Sequence, residues 1–147
     1  MWYNVSTKTK TNKGVNTMSK ATFSKQYRLL SMPYAQCRVY LKRFDDESVS
    51  VELVSYDTSV CIINYTPGVG AALYCSGTYS VTTARHINRF TREFCEYNRY
   101  HECKAALRNP DNLFAFGWYY VCDIDIEHLL KMCSRYEEDA RGYYGRY

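Results

Sequence analysis

The apolar residues of this chain change period once, and that change limits what it can fold into. From Cys37 to Leu53 they alternate. Cys37, Val39 and Leu41 take one side of the backbone and Arg38, Tyr40 and Lys42 the other, and Val49, Val51 and Leu53 repeat the pattern after Asp45-Asp46-Glu47. Period two is the mark of a strand with one wet face, and the acidic triplet makes the two runs a hairpin. Val60 to Tyr65 reads as a more central strand, Thr66-Pro67-Gly68-Val69-Gly70 as a turn, and Ala71 to Tyr79 as the returning strand. Gln26 to Leu30 would add an edge strand. After Thr82-Thr83 the spacing becomes helical, with Ile87, Phe90, Phe94 and Tyr97 on one stripe. Either threonine hydroxyl can accept a bond from an amide of the first turn, which predicts a helix from Ala84 to Asn98. Asn109-Pro110-Asp111-Asn112 then breaks the chain, and Leu113 to Val121 reads as a strand. Asp123 or Asp125 caps a second helix whose core face is Ile126, Leu129, Leu130, Cys133 and Tyr136. The expected fold is α+β: an antiparallel β-meander of four to six strands with two amphipathic helices packed on one face.

With 147 residues, 46% of them hydrophobic and 23% charged, the chain is long enough for one ordinary core without disulfides or a metal. No apolar run approaches the ~20 residues needed to span a bilayer. The N-terminus lacks the apolar centre and cleavage site of a secretory signal, so the expected location is the cytoplasm, where seven cysteines are thiols. Charge is unevenly placed: nine basic and no acidic residues precede Asp45, whereas from Asp45 onward there are ten basic and fifteen acidic residues. The expected organisation is a basic N-terminal arm over 1–23, a single domain over 24–141 and a tyrosine-rich tail over 142–147.

The most specific text is Ser55-Tyr56-Asp57-Thr58-Ser59-Val60, followed by Tyr79-Ser80-Val81-Thr82-Thr83-Ala84-Arg85-His86-Ile87-Asn88-Arg89-Phe90. These segments resemble an uncharacterised domain family of small phage and mobile-element proteins, with the pattern S-Y-x-T-x-V and then Y-S-x-T-T-x-x-H-I-x-x-F. The matching positions are Ser55, Tyr56, Thr58, Val60, Tyr79, Ser80, Thr82, Thr83, His86, Ile87 and Phe90. The likeness covers about a third of the chain and stops at Asn98. It implies a phage context, in which proteins of this size often bind and block a host factor, CRISPR nucleases included.

Candidate contact residues are Arg85, Arg89, Arg92 and Arg99, which lie opposite the apolar stripe of the first helix, together with His86, Arg38, Lys42, Tyr143 and Tyr144. Glu93 and Glu96 follow Arg89 and Arg92 at the spacing of helical ion pairs. Sixteen tyrosines suit a sticky surface, since tyrosine offers a rigid contact area with a polar tip. Cys95, His101, Cys103 and Cys122 have the ligand types of a structural zinc but not its usual spacing, and no cofactor is required by the rest of the chain. Ser80 with His86 lacks the sharp turn that exposes a catalytic serine, and Asp123, Asp125 and Glu127 alternate as in a metal-dependent nuclease but also suit a helix start. His101 with Asn109 and Asn112 lacks the second histidine of a histidine-asparagine nuclease. The expected function is therefore non-enzymatic: inhibition of a host or defence protein by surface occlusion. The alternatives are nucleic-acid binding through the basic arm and arginine stripe, and a metal-dependent nuclease.

Overall fold

The alternation of the N-terminal half becomes five consecutive antiparallel strands in a computed structural model that describes residues 19–77 and 79–138: β1 (Ala21–Arg28), β2 (Cys37–Phe44), β3 (Val49–Ser55), β4 (Thr58–Thr66) and β5 (Gly70–Cys75). Two more, β6 (Leu113–Ala115) and β7 (Trp118–Asp123), complete a seven-stranded sheet in the order β1-β2-β3-β4-β5-β7-β6, antiparallel throughout. The edge strand lies over Ala21–Arg28 rather than Gln26 to Leu30. The single strand expected over Leu113 to Val121 is folded back on itself at Phe116-Gly117, which raises the count above six.

Register explains which residues form the core. One row across the sheet, Tyr27, Val39, Leu53, Cys61, Cys75 and Tyr119, faces the helices, and the row Leu41, Val51, Ile63, Leu73 and Cys122 lies beside it. Val39, Leu41, Val51, Leu53, Cys61, Ile63, Leu73 and Cys75 are wholly buried. Each fully buried large aliphatic among them contributes about 1.5–3 kcal/mol of transfer free energy. The alternate residues Tyr40, Glu52, Ile62, Tyr74 and Tyr120 share the outer face, which is wetter.

Three helices cover the inner face: α1 (Val81–Phe94), α2 (Tyr100–Leu107) and α3 (Ile126–Glu138). The α1 cap is Ser80, with extended backbone and a hydroxyl that accepts a bond from the Thr83 amide at 3.1 Å. Thr82 and Thr83 are thus inside the helix, because a cap must stand three residues before the amide it satisfies. The helix ends at Phe94 rather than Asn98: Cys95 N–H still bonds Thr91 O, but Glu96 sits at φ 72, a left-handed stop without glycine. Tyr97 therefore leaves the apolar stripe and is 55% exposed. In α3, Asp125 is the capping carboxylate, accepting from His128 N at 2.8 Å. Leu129, Met132, Cys133 and Tyr136 form its buried face, while Ile126 is exposed and Leu130 half-buried. No helix among the described residues is long and apolar enough to cross a membrane.

Candidate functional site

The sheet and α1 meet where the sequence crowds its hydroxyls. Ser55 ends β3, and its Oγ lies 2.9 Å from Thr83 Oγ1 and 2.8 Å from His86 Nδ1. Ser80 Oγ donates to Thr83 Oγ1 at 3.2 Å. All four groups are satisfied when protons run from Ser80 to Thr83 to Ser55 to His86, which leaves the imidazole proton on Nε2. Tyr56 occupies the first position of the two-residue β3–β4 turn at φ 56 and brings its ring to 5.9 Å from the His86 ring. Ser55 is 2% exposed and His86 1%.

A serine hydroxyl on an imidazole nitrogen is the core of many nucleophile systems. Here the hydroxyl is shared with Thr83, and among the described residues no carboxylate bonds the ring. Burial pushes the His86 pKa below its ordinary value of 6.5, so the ring is neutral at pH 7. The constellation fits a buried polar staple between β3 and α1. His86 was expected at a partner contact; its burial removes it from that role.

The remaining contact candidates divide between two faces. Arg85, Arg89 and Arg92 are exposed along α1, and among the described residues none has a carboxylate partner. Glu93 turns inward instead, accepting from Ser31 N at 2.8 Å and from the Tyr136 hydroxyl, and Glu96 lies past the helix end. Arg99 also lies past it, paired with Glu102 at 2.8 Å and stacked 3.8 Å from the Tyr97 ring centroid, so the stripe is three arginines rather than four. Arg38 and Lys42 sit on the outer face of the sheet, Arg38 near the Tyr40 ring. Tyr143 and Tyr144 lie outside the described residues.

Comparison with protein families matches residues 9–108 to a family of unknown function, DUF8033. The chain belongs to DUF8033. Neither the curated proteins nor the solved structures give a match. The matched span runs past Asn98 through α2, so the DUF8033 region takes in β1 to β5, α1 and α2 together with the staple, and ends before β6.

The cysteine-rich part of the DUF8033 chain behaves as packing. Cys103 on α2 is wholly buried against Cys61 and Cys75, which are register partners on β4 and β5, whereas His101, two residues earlier on the same helix, is exposed. Two residues turn a helix through about 200°, so the pair cannot converge on one ion. Among the described residues no group of three or more histidine, cysteine or acidic side chains is placed to hold a metal, which leaves Cys95, His101, Cys103 and Cys122 unassembled as a zinc set. Burial pushes Cys37 and Cys133 up to about 12. The hydrogen bond with Cys103 and then burial raise Cys75, and burial raises Cys95 and Cys122. Thiols held neutral react slowly. Native protein treated with iodoacetamide at pH 7 is expected to be modified first at half-exposed Cys122, with the six buried thiols labelled only after denaturation, as read by intact mass and peptide mapping.

Proposed function

We propose that this DUF8033 protein is a non-enzymatic binding protein that works in a phage or mobile-element setting by covering an acidic surface of a host or defence protein. In that setting a CRISPR nuclease is the foremost target class. The observation that supports this reading is the row Arg85, Arg89 and Arg92, three exposed guanidiniums without a carboxylate partner among the described residues. Over seven residues of helix they span about 10 Å, enough to engage several carboxylates of a partner. Guanidinium groups hold carboxylates bidentately, and an unpaired set costs nothing to release on docking. The polar junction that resembled a reaction centre is meanwhile occupied in joining β3 to α1.

Tagged protein purified from cells making it should retain a discrete protein at stoichiometric level. The triple variant Arg85→Glu, Arg89→Glu, Arg92→Glu should weaken that complex on the order of 100-fold, about 3 kcal/mol over three charges, and leave the melting temperature nearly unchanged. Undiminished affinity in the variant would refute the reading.

A second reading rests on the outer face of β2, where the Tyr40 ring stands beside Arg38 with Lys42 on the same face. Aromatic rings beside cations stack single-stranded bases. Anisotropy titration of labelled single-stranded DNA and RNA at low salt decides it: binding that falls steeply with added salt supports direct nucleic-acid recognition, and no binding removes it.

A further inference from the structure

The β6–β7 hairpin turns on two residues, Phe116 and Gly117, between the register partners Ala115 and Trp118. Both have positive φ, 48° at Phe116 and 85° at Gly117, the pattern of a type I′ turn. Glycine or asparagine fills such a first position cheaply, and a bulky side chain there is strained. Phe116 is 95% exposed, and among the described residues it finds no ring or cation partner that offsets that strain. Strain that persists without internal compensation points to a use outside the molecule.

The tip is continuous with other apolar surface. Leu113 is 52% and Phe114 45% exposed, so three of the nine exposed large hydrophobics among the described residues fall within four residues. The Phe114 ring lies 4.7 Å from Tyr74, which meets Tyr120 at 6.0 Å, carrying the patch onto the outer face of the sheet. Exposed Asp111, just before β6, and exposed Asp123, which accepts from the Tyr120 hydroxyl at 3.1 Å, border it with negative charge. Such a border opposes phosphates, whether of nucleic acid or of lipid. It fits an apolar recess rimmed by lysine or arginine on another protein.

We propose that the β6–β7 hairpin is an anchor in which Phe116 inserts into an apolar, basic-rimmed recess of a partner protein, with Phe114 and Tyr74 extending the contact. This rests on the reading of the chain as a binding protein and adds a second contact, whose hairpin lies beyond the residues matched to DUF8033 although Tyr74 lies within them. Large aromatic anchors seated in desolvated recesses dominate protein interfaces.

The test places the photo-crosslinker p-benzoylphenylalanine in the full-length chain at position 116, at 89 or at 34, the last a 93%-exposed tyrosine serving as a collision control. After irradiation in cells making the protein, positions 116 and 89 should capture the same protein and position 34 should not. The adduct from 116 should map to an apolar segment flanked by basic residues. Capture from 89 but not from 116 overturns the anchor alone, and capture from neither overturns the binding reading as well. Adducts from 116 with nucleic acid, lipid, a second copy of this chain or a different protein from that caught at 89 also overturn the anchor. Phe116→Asn separates docking from folding. Relief of the turn should raise the melting temperature by about 3 °C while capture from position 89 falls at least about tenfold. A lowered melting temperature would make Phe116 a folding residue, and unchanged capture would make it a bystander; either result ends the proposal.

Discussion

Tyr136→Ala is expected to cost about 4 kcal/mol and to lower the melting temperature by about 12 °C. The ring is wholly buried, stacked on Phe94 at 5.1 Å and edge-on to Tyr27 at 5.7 Å, so truncation opens a cavity where α1, α3 and β1 meet. Its hydroxyl accepts from Leu30 N at 3.0 Å and donates to Glu93, whose other carboxylate oxygen holds Ser31 N. The Glu93 carbonyl in turn accepts from His128 Nε2 at 2.6 Å. One tyrosine therefore ties the β1–β2 connection to two helices. Tyr136→Phe keeps the packing and removes only the hydroxyl, and should cost about 1.5 kcal/mol. Denaturant unfolding of both variants, with unchanged slope, separates the packing from the polar contribution.

The second large effect belongs to the staple. Ser55→Ala leaves the Thr83 hydroxyl and His86 Nδ1 buried without their shared partner and should cost about 3 kcal/mol. It should also change how stability responds to acid. With the folded pKa of His86 below 6.5, the unfolded chain takes up the imidazole proton first as pH falls. The His86 contribution is complete above pH 6.5 and is lost progressively as pH drops from there toward the folded-state value, at no more than about 1.4 kcal/mol per pH unit. His86→Gln should flatten the stability profile between neutral pH and mild acid. An unchanged slope would mean that His86 is reached by solvent protons without unfolding.

The strands that alternate cleanly were legible because one-sided burial writes itself into the sequence. Val39, Leu41, Val51 and Leu53 are the sheet's inner residues as their spacing predicts. What escaped were features set by distant partners or by unusual backbone. α2 buries only Cys103 and Ala106 over eight residues, too narrow a face to stand out. Its neighbour α1 stops at a glutamate in a left-handed conformation, where glycine would have signalled the end. Phe116 reads as a strand former, which concealed the hairpin that it turns. At the junction, Ser55, Thr83 and His86 were visible only as positions of the family pattern, with His86 paired in sequence to Ser80, and their convergence was hidden. The contact that draws them inward spans 28 residues, from the end of β3 to the first turn of α1, and hydroxyls and imidazole are equally at home in solvent or in a satisfied network. The ion pairs expected for Glu93 failed for the same reason, since its better partners lie on other elements.

The strand order also carries a temporal consequence. β1 to β5 follow one another and zip as neighbours, but the free rim of β5 receives β7 only after the chain has passed through α1, α2 and β6. A ribosome therefore delivers this sheet with its seam still open, and peptide groups left open at a rim will accept any extended segment that reaches them. Until Trp118–Asp123 arrives to close the seam, foreign strands are the chief rivals of the native one.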